Sequence, residues 1–165
     1  MPLQSQRLIL REWKTDDFSP FFKLNSCKHV CEFLPKILNR KESDSLATRI
    51  ISDFNKNGFG LYAVERKDNH RFIGFTGLSI PRFEAPFMPS VEIGWRLSYE
   101  NWGQDFATET AQVVRDYAFT TLGINELVSF TVVNNIASRR VMEKIGMSHT
   151  IDDDFAPPFC LQIIP

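Results

Sequence analysis

The sequence predicts one α/β domain, a mixed sheet with helices on its faces, over residues 1–165. The chain length suits a single domain with its own core and is short for two. Runs of alternating or β-branched apolar residues are interspersed with runs whose apolar residues recur at helical spacing. Their order, β-α-α-β-β-β-α-β-α-β, is typical of a mixed sheet covered by helices.

A strand and two helices come first. Residues 7–13 alternate charged and apolar side chains, which predicts a strand. Residues 15–17 then supply helix-start side chains for a helix over Phe18–Asn25. A second helix is predicted from Ser43, because an apolar stripe at helical spacing follows and stops just before Gly58.

Three strands and the longest helix follow. Residues 60–65 and 71–80 are β-like and are joined by a turn-prone segment, which predicts an antiparallel hairpin. Residues 81–89 contain three prolines and cannot continue a central strand, so they are predicted to form a loop near the substrate. A strand over 90–97 and a helix over 106–122 come next.

The last elements are a strand over 126–133 and a helix over 137–144, which Gly146 closes at its C′ position. Residues 160–164 are predicted to form a short terminal strand. The two late strand-helix-strand passages are expected to cross over in the right-handed sense.

Composition narrows the class of partner. A net charge of −1 gives no basic field for a phosphate polymer, so we expect no nucleic-acid partner. Residues 1–11 lack a signal-peptide pattern, and no apolar run approaches the roughly 20 residues of a membrane span. We therefore expect no membrane partner. The three cysteines, an odd number, favour a reducing compartment and predict a cytoplasmic protein.

Cys27, His29 and Cys31 lie close enough in sequence to suggest a zinc site. Such a site needs three or four ligands, and the other histidines, His70 and His149, are far along the chain. We therefore expect packed or surface thiols and no metal.

A strand over residues 91–97 leads through a glycine-containing turn into the long helix. A helix start presents unpaired N–H groups and a partial positive charge, and a small residue in the turn lets a phosphate approach the main chain. A pyrophosphate would suit this place. The glycine also has a purely conformational explanation.

Three motifs in this order resemble the GNAT acetyltransferases, in the RimJ/RimL-like branch. Residues 91–97 with 102–111 resemble the central acetyl-CoA motif, residues 5–11 the opening strand, and residues 135–147 the second cofactor motif. The resemblance implies the GNAT fold, with a central, mostly antiparallel twisted sheet. It also implies transfer of an acetyl group from acetyl-CoA to a primary amine of a small molecule or a protein N-terminus.

The resemblance also implies which residues bind the cofactor. Trp95, Arg96 and Leu97 correspond to strand contacts with the pantetheine arm. Asn135 corresponds to a second pantetheine contact, although its position also explains it as a helix cap. The pyrophosphate turn corresponds to Gly103, Gln104, Asp105, Phe106, Ala107 and Thr108.

Two departures from the family pattern stand out. Asp105 stands where the family has a glycine, and as an N-cap its carboxylate would occupy the donors that the pyrophosphate needs. This predicts weakened cofactor affinity. The chain also lacks the late tyrosine of its relatives, because no tyrosine follows Tyr117.

Acetyl transfer needs a neutral amine, so a base must remove a proton. Glu92 is the candidate base, acting through water, because it faces the same way as Gly94 and burial raises a carboxyl pKa. The alternative is a solvent-facing or salt-bridged strand residue. By resemblance, a main-chain N–H near Trp95 or Leu97 polarises the thioester, and Ser138 is a candidate acid for the leaving thiolate, which can also leave unaided.

The sequence predicts fewer residues for the acceptor side than for the cofactor side. Trp13, Phe18, Phe83 and Phe87 are candidates for its wall, with ordinary core packing as the alternative. The sequence does not identify the acceptor, and it is compatible with a monomer or a homodimer. An acyl-CoA-binding sensor without turnover, and an interaction module without a cofactor, remain the alternative functions.

Overall fold

Five strands and four helices make up the part of the chain that the computed structural model describes, residues 2–155. The strands are β1 (Leu3–Gln4), β2 (Leu8–Arg11), β3 (Leu61–Arg66), β4 (Phe72–Ser79) and β5 (Glu92–Leu97). The helices are α1 (Phe18–Asn25), α2 (Arg40–Asn57), α3 (Phe106–Thr120) and α4 (Ile136–Lys144). The terminal strand predicted over residues 160–164 lies outside the described residues. Within them, no helix is long and apolar enough to cross a membrane.

The five strands form one antiparallel sheet in the order β1-β2-β3-β4-β5. The predicted hairpin is confirmed as β3 and β4, and β5 continues the sheet along β4. The predicted α/β fold class is also confirmed. The sequence does not predict the two-residue strand β1, because so short a segment carries no recognisable period.

The two faces of the sheet carry different helices, and side chains alternate between them along each strand. On one face, α3 packs Ala111 and Val114 against Ile93 and other strand residues in the main core. On the opposite face, α1 and α2 form a second core in which Phe21 packs against Phe75 of β4. Side chains of β5 therefore point alternately toward α3 and toward α1 and α2.

A buried ionic network fixes the start of α1 to the sheet. The guanidinium of Arg11 on β2 donates to both carboxylate oxygens of Asp17, at 2.7 and 2.8 Å, and to Glu65 on β3 at 2.6 Å. Because both carboxylates share one well-aligned cation, the charges are compensated where water is scarce. Helix α1 is thereby held over the sheet.

Helix α2 begins at Arg40, three residues before the predicted start. Its cap is Asn39, whose side chain accepts from the N–H of Glu42, while the Glu42 carboxylate accepts from the N–H of Asn39. This capping box fixes the helix start. The predicted end is confirmed, because Gly58 takes a left-handed conformation at φ 73°.

The strand predicted over residues 126–133 is not formed as such. Only Val128 is bridged to the sheet, in parallel with Glu92 of β5. The rest of the segment has β-rich composition but no strand partner among the described residues, because it separates from β5 after Val128. That separation leaves an opening in the sheet.

Candidate active site

The opening lies between β5 and the segment that follows Val128. Ile93 donates its main-chain N–H to the carbonyl of Val128 at 2.8 Å, and Val128 donates to Val91 at 2.9 Å. Main-chain direction alternates along a strand, so the N–H groups of Trp95 and Leu97 point the same way as that of Ile93. They therefore face the opening, where the described chain provides no pairing strand.

Arg96 differs from its two neighbours. Its main chain faces β4, where Phe75 is its register partner, and its side chain lies on the face of α1 and α2. Of the three predicted strand contacts, Trp95 and Leu97 thus turn main-chain groups to the opening and Arg96 does not. One of these groups has a partner, since the Leu97 carbonyl accepts from the indole of Trp102 at 2.9 Å.

The start of α3 presents a run of free main-chain donors at one end of the opening. The first helical hydrogen bond runs from the N–H of Glu109 to the carbonyl of Asp105 at 2.9 Å. Among the described residues, no acceptor pairs with the N–H groups of residues 103–108. A Cβ on Gly103, at φ 72°, would meet no atom within 4 Å, so an anion can approach the turn closely.

The turn is held from behind by Arg7, which the sequence motifs did not single out. Its guanidinium donates to the carbonyl of Gln104 at 2.9 Å and to the carboxylate of Glu109 at 2.7 Å. It also lies 4.4 Å from the ring centroid of Phe106. The N-terminal strands thus brace the outer side of the turn.

Asp105 adopts a left-handed conformation at φ 60°, which explains why glycine suits this position. Its side chain makes no capping bond to α3, contrary to the sequence-based prediction. The carboxylate instead contacts the ammonium of Lys144 on α4 at 2.5 Å, and this contact lowers the pKa of Asp105. A side chain caps best from extended backbone, which the left-handed backbone does not provide. The Asp105 side chain therefore leaves the N–H groups of the turn unoccupied.

Asn135 caps α4, so that explanation of its position is confirmed. Its Oδ1 accepts from the N–H of Ser138 at 3.2 Å, and its Nδ2 donates to Thr131 at 3.0 Å. Because Lys144 at the other end of α4 contacts Asp105, the two helices bearing the predicted cofactor motifs are joined directly.

Glu92 lies at the other end of β5, on the face of α1 and α2. Its carboxylate accepts from the hydroxyl of Ser79 at 2.9 Å and is in no ion pair within the described residues. Burial raises the pKa of Glu92 to about 7, although the Ser79 hydrogen bond and the Arg96 charge oppose this shift. A carboxyl group that titrates near neutrality is suited to accept and release protons.

Trp13 and Phe18 belong to the second core rather than to an acceptor wall. The Trp13 ring contacts Phe21 at a centroid distance of 4.9 Å, and its indole donates to the Leu61 carbonyl at 2.8 Å. Phe18 packs against the same cluster. For these two, the core-packing alternative is confirmed.

Phe83 and Phe87, from the proline-rich segment, contact Phe130 and Phe155 with ring centroids 5.0 to 6.0 Å apart. These four residues form an aromatic cluster. Because Phe130 follows Val128 on the segment that leaves β5, the cluster lies beside the opening. A role for Phe83 and Phe87 in the wall of the acceptor side stays a prediction.

The cysteine segment packs against α1. The buried Cys31 thiol contacts the carbonyl of Asn25 at 3.1 Å, and burial raises its pKa. The His29 ring stacks on Tyr99 at a centroid distance of 4.2 Å. In residues 2–155, no three His, Cys, Asp or Glu side chains are grouped as metal ligands.

Comparison with known proteins agrees with this geometry. The family described as "Acetyltransferase (GNAT) domain" matches residues 7–148. The uncharacterized N-acetyltransferase YoaA of Bacillus subtilis is 30% identical over 149 residues, covering 87% of this chain and 81% of YoaA.

Solved structures share the fold. An acetyltransferase from Agrobacterium tumefaciens superposes with a TM-score of 0.78 at 26% identity, covering 88% of this chain and 82% of that one. Spermidine N-acetyltransferase from Vibrio cholerae, in complex with CoA and spermine, has a TM-score of 0.67 at 22% identity, with coverages of 84% and 79%. With the family match extending over most of the sequence, this chain belongs to the GNAT acetyltransferase family.

Proposed function

We propose that this protein transfers an acetyl group from acetyl-CoA to a primary amine, with Glu92 as the general base. One observation carries the proposal. The opening beside β5 begins at the free N–H groups of residues 103–108, and the same strand carries a carboxyl with a pKa of about 7.

The main-chain groups of the opening fit the parts of acetyl-CoA. The free donors at the start of α3 suit a diphosphate, because N–H groups and the helix dipole both favour negative charge there. The main-chain N–H groups of Trp95 and Leu97, which point toward the opening, suit the amides of a pantetheine arm, and Asn135 at the start of α4 is a further proposed contact. Acetyl-CoA supplies the activated acetyl group as a thioester.

Glu92 accepts a proton from the acceptor ammonium, through water, so that the amine nitrogen gains a free electron pair. The N–H of Trp95 or Leu97 donates to the oxygen on which negative charge develops during transfer. Ser138 remains the proposed proton donor to the leaving sulfur. Its position near the start of α4, beside the Asn135 cap, is compatible with that role.

The finer assignments rest on the sequence. The three motifs support membership of the RimJ/RimL-like branch, and the cysteine content supports a cytoplasmic protein. The acceptor is a small-molecule amine or a protein N-terminus, and the protein is a monomer or a homodimer.

An acyl-CoA-binding protein without turnover is the second candidate. Asp105 is the reason to consider it. This reason is weakened, because the Asp105 carboxylate contacts Lys144 and makes no capping bond to the turn donors. We therefore favour the enzyme.

Two measurements on the purified protein test the proposal. Acetyl-CoA at 100 times its dissociation constant is expected to stabilise the fold by about 2.7 kcal/mol, seen as a rise in melting temperature. Thiol release from acetyl-CoA is expected to increase when amines are added. Stabilisation without release for any of a panel of amino acids, polyamines and peptides would favour the binding protein, and no stabilisation at all would refute both.

A further inference from the structure

Arg96 and Arg11 are both partly or largely buried arginines of the sheet, but their guanidinium groups have different partners. Arg11 is paired with two carboxylates, Asp17 and Glu65. Arg96 is also largely buried, yet among the described residues no carboxylate lies within ion-pair distance of its guanidinium. A cation withdrawn from water without a counter-ion is costly, so its presence requires an explanation.

The guanidinium of Arg96 is held in place by neutral groups. Its Nη1 donates to the Oδ1 of Asn25 at 2.8 Å, and the Nδ2 of that fully buried asparagine donates to the hydroxyl of Ser43 at 3.0 Å. The ring centroid of Phe75 lies 5.3 Å below it. Helices α1 and α2 therefore fix the orientation of the cation without neutralising it.

Two of the remaining donors of Arg96 are not fully enclosed by the described residues. Every buried side-chain nitrogen or oxygen in the described residues has a hydrogen-bond partner. Nε and Nη2 of Arg96 have no protein partner there, so neither is fully buried. These two atoms present a pair of parallel N–H donors, the geometry that binds a carboxylate with two hydrogen bonds.

The floor between Arg96 and Glu92 is open. Gly94 lies between them on the same face of β5, and a Cβ there would meet only the Glu92 carboxyl, with Oε1 at 3.6 Å. The Cα atoms of Glu92 and Arg96 are about 13 Å apart along the strand, and both side chains are long enough to narrow that gap. A small molecule above Gly94 therefore lies between a carboxyl and a guanidinium.

We propose that Arg96 binds a carboxylate of the acceptor, and that the acceptor is a small zwitterion, an amine that also carries a carboxylate, such as an amino acid. The amine is turned toward Glu92 and the carboxylate toward Arg96. This assignment rests on the proposed function and specifies its substrate class.

The charge balance favours this class over a polyamine. Burial lowers the pKa of Arg96 to about 10, so the guanidinium stays protonated at neutral pH. The titratable groups that face it are Cys31 and Glu92. A polycation would bring further positive charge beside Arg96, whereas a zwitterion supplies the missing counter-ion.

The main comparison is between amino acids and their amides, which lack the carboxylate charge. Thiol release is measured for a set of amino acids, for the amide of each, and for spermidine as the polyamine. We expect kcat/KM to be at least about tenfold higher for the best amino acid than for its amide, as for a charge-assisted hydrogen bond. Equal use of both, or a preference for spermidine, would overturn the assignment.

Variants test whether Arg96 causes the preference for an amino acid over its amide. Arg96→Gln is expected to equalise the amino acid and its amide, mainly through a higher KM for the amino acid. Arg96→Lys is expected to restore part of the preference, because it keeps the charge and loses the paired geometry. Asn25→Asp places a carboxylate beside the guanidinium and is expected to reduce the preference by internal competition. Preference retained in Arg96→Gln would overturn the role of Arg96.

Binding of N-acetyl amino acids, the expected products, distinguishes a failure of this inference from a failure of the proposed function. In the protein mixed with CoA, calorimetry compares N-acetyl amino acids with their amides, which requires no turnover. Tighter binding of the carboxylates, lost in Arg96→Gln, supports the site even if no amine is acetylated. If amines are acetylated but carboxylates bind no tighter, the proposed function stands and this inference fails. Melting temperature with acetyl-CoA confirms that each variant is folded.

Discussion

The two sides of the opening are built from different parts of the chain. The proposed cofactor side is a short local run, residues 103–108, whose main-chain N–H groups have no acceptor among the described residues because a helix starts there. The proposed acceptor side joins side chains from α1, β4 and β5: Asn25, Ser79, Glu92 and Arg96. The first is a property of backbone geometry and the second of tertiary contacts.

This difference bears on specificity. Main-chain donors can bind a diphosphate whatever the side chains are, so we expect the proposed cofactor side to tolerate changes such as Asp105 in place of a glycine. We expect the proposed acceptor side to be less tolerant, because its charges act only through their particular neighbours. We therefore expect substitutions on the acceptor side to alter turnover and the choice of acceptor. Substitutions on the cofactor side are expected to change the affinity for acetyl-CoA only modestly.

The largest effect is expected for Glu92→Gln. Loss of the general base is expected to lower kcat about a hundredfold near neutral pH. The wild-type rate should rise with pH through about 7, as Glu92 becomes a carboxylate, and this limb should vanish in the variant. The deficit should narrow at high pH, where the acceptor amine loses its proton in solution.

The matched control for this change is Glu126→Gln, at an exposed glutamate outside the opening. Its pH–rate profile should match that of the wild type. An unaltered profile in Glu92→Gln itself would remove Glu92 as the base and leave the acceptor side without an assigned proton acceptor.

The same substitution should stabilise the fold at alkaline pH. The pKa of Glu92 is raised in the folded state to about 7, so folding favours its protonated form. The penalty of the buried carboxylate is absent below the unfolded pKa and grows until the pH passes 7. Glu92→Gln should therefore raise the free energy of unfolding by about 1 to 3 kcal/mol at pH 8 and by less at pH 5.

Urea unfolding at the two pH values measures this effect. The Ser79 hydroxyl donates to the Glu92 carboxylate, and after Glu92→Gln it can donate to the side-chain amide oxygen in the same way, so the hydrogen bond is not the variable. A gain of equal size at pH 5 and pH 8 would show that titration of Glu92 is not its cause.

A third substitution fills the space above Gly94. Its φ is not positive, and the new methyl group of Gly94→Ala would lie 3.6 Å from Glu92 Oε1, an ordinary contact. The fold should therefore persist. Because one methyl group discriminates about tenfold in a fitted pocket, we expect kcat/KM for the acceptor to fall about tenfold. Affinity for acetyl-CoA, measured by calorimetry, should not change, and a parallel loss of both would place the acceptor elsewhere.

Much of the fold was predictable because its signals are local. The β3 and β4 hairpin, the long helix α3 and the glycine that ends α2 each follow from a period or a turn residue within a few positions. The start of α2 was also encoded, since Asn39 and Glu42 have the spacing of a capping box. The strand over 126–133 was overpredicted, because β-rich composition does not reveal whether a partner strand lies alongside.

In the candidate site, too, some features depend on local sequence and others on distant partners. Glu92 and the α3 turn could be proposed from one segment of sequence. The roles of Asn25 and Lys144 could not, because their partners Arg96 and Asp105 lie 71 and 39 residues away. The direction of the Arg96 main chain likewise depends on strand pairing with β4, which composition does not encode.

The smallest effect is expected at Asp105, on the cofactor side. Asp105→Gly suits the left-handed backbone at φ 60° and removes a negative charge beside the free donors of α3. It also releases Lys144 to face an anion. We expect the dissociation constant for acetyl-CoA to fall about threefold, since an exposed ion pair is weak, and the gain to shrink at high salt.

Two further variants show what causes the change in affinity for acetyl-CoA. Asp105→Asn removes the charge and keeps a side chain, so it separates electrostatics from backbone freedom. Asp105→Gly combined with Lys144→Ala should lose part of the gain if the released ammonium contributes. Calorimetric titration with acetyl-CoA at low and high salt measures each. If Asp105→Gly binds acetyl-CoA more weakly than the wild type, the Asp105–Lys144 pair holds the turn in its binding geometry, and the cofactor side depends on tertiary contacts as the acceptor side does.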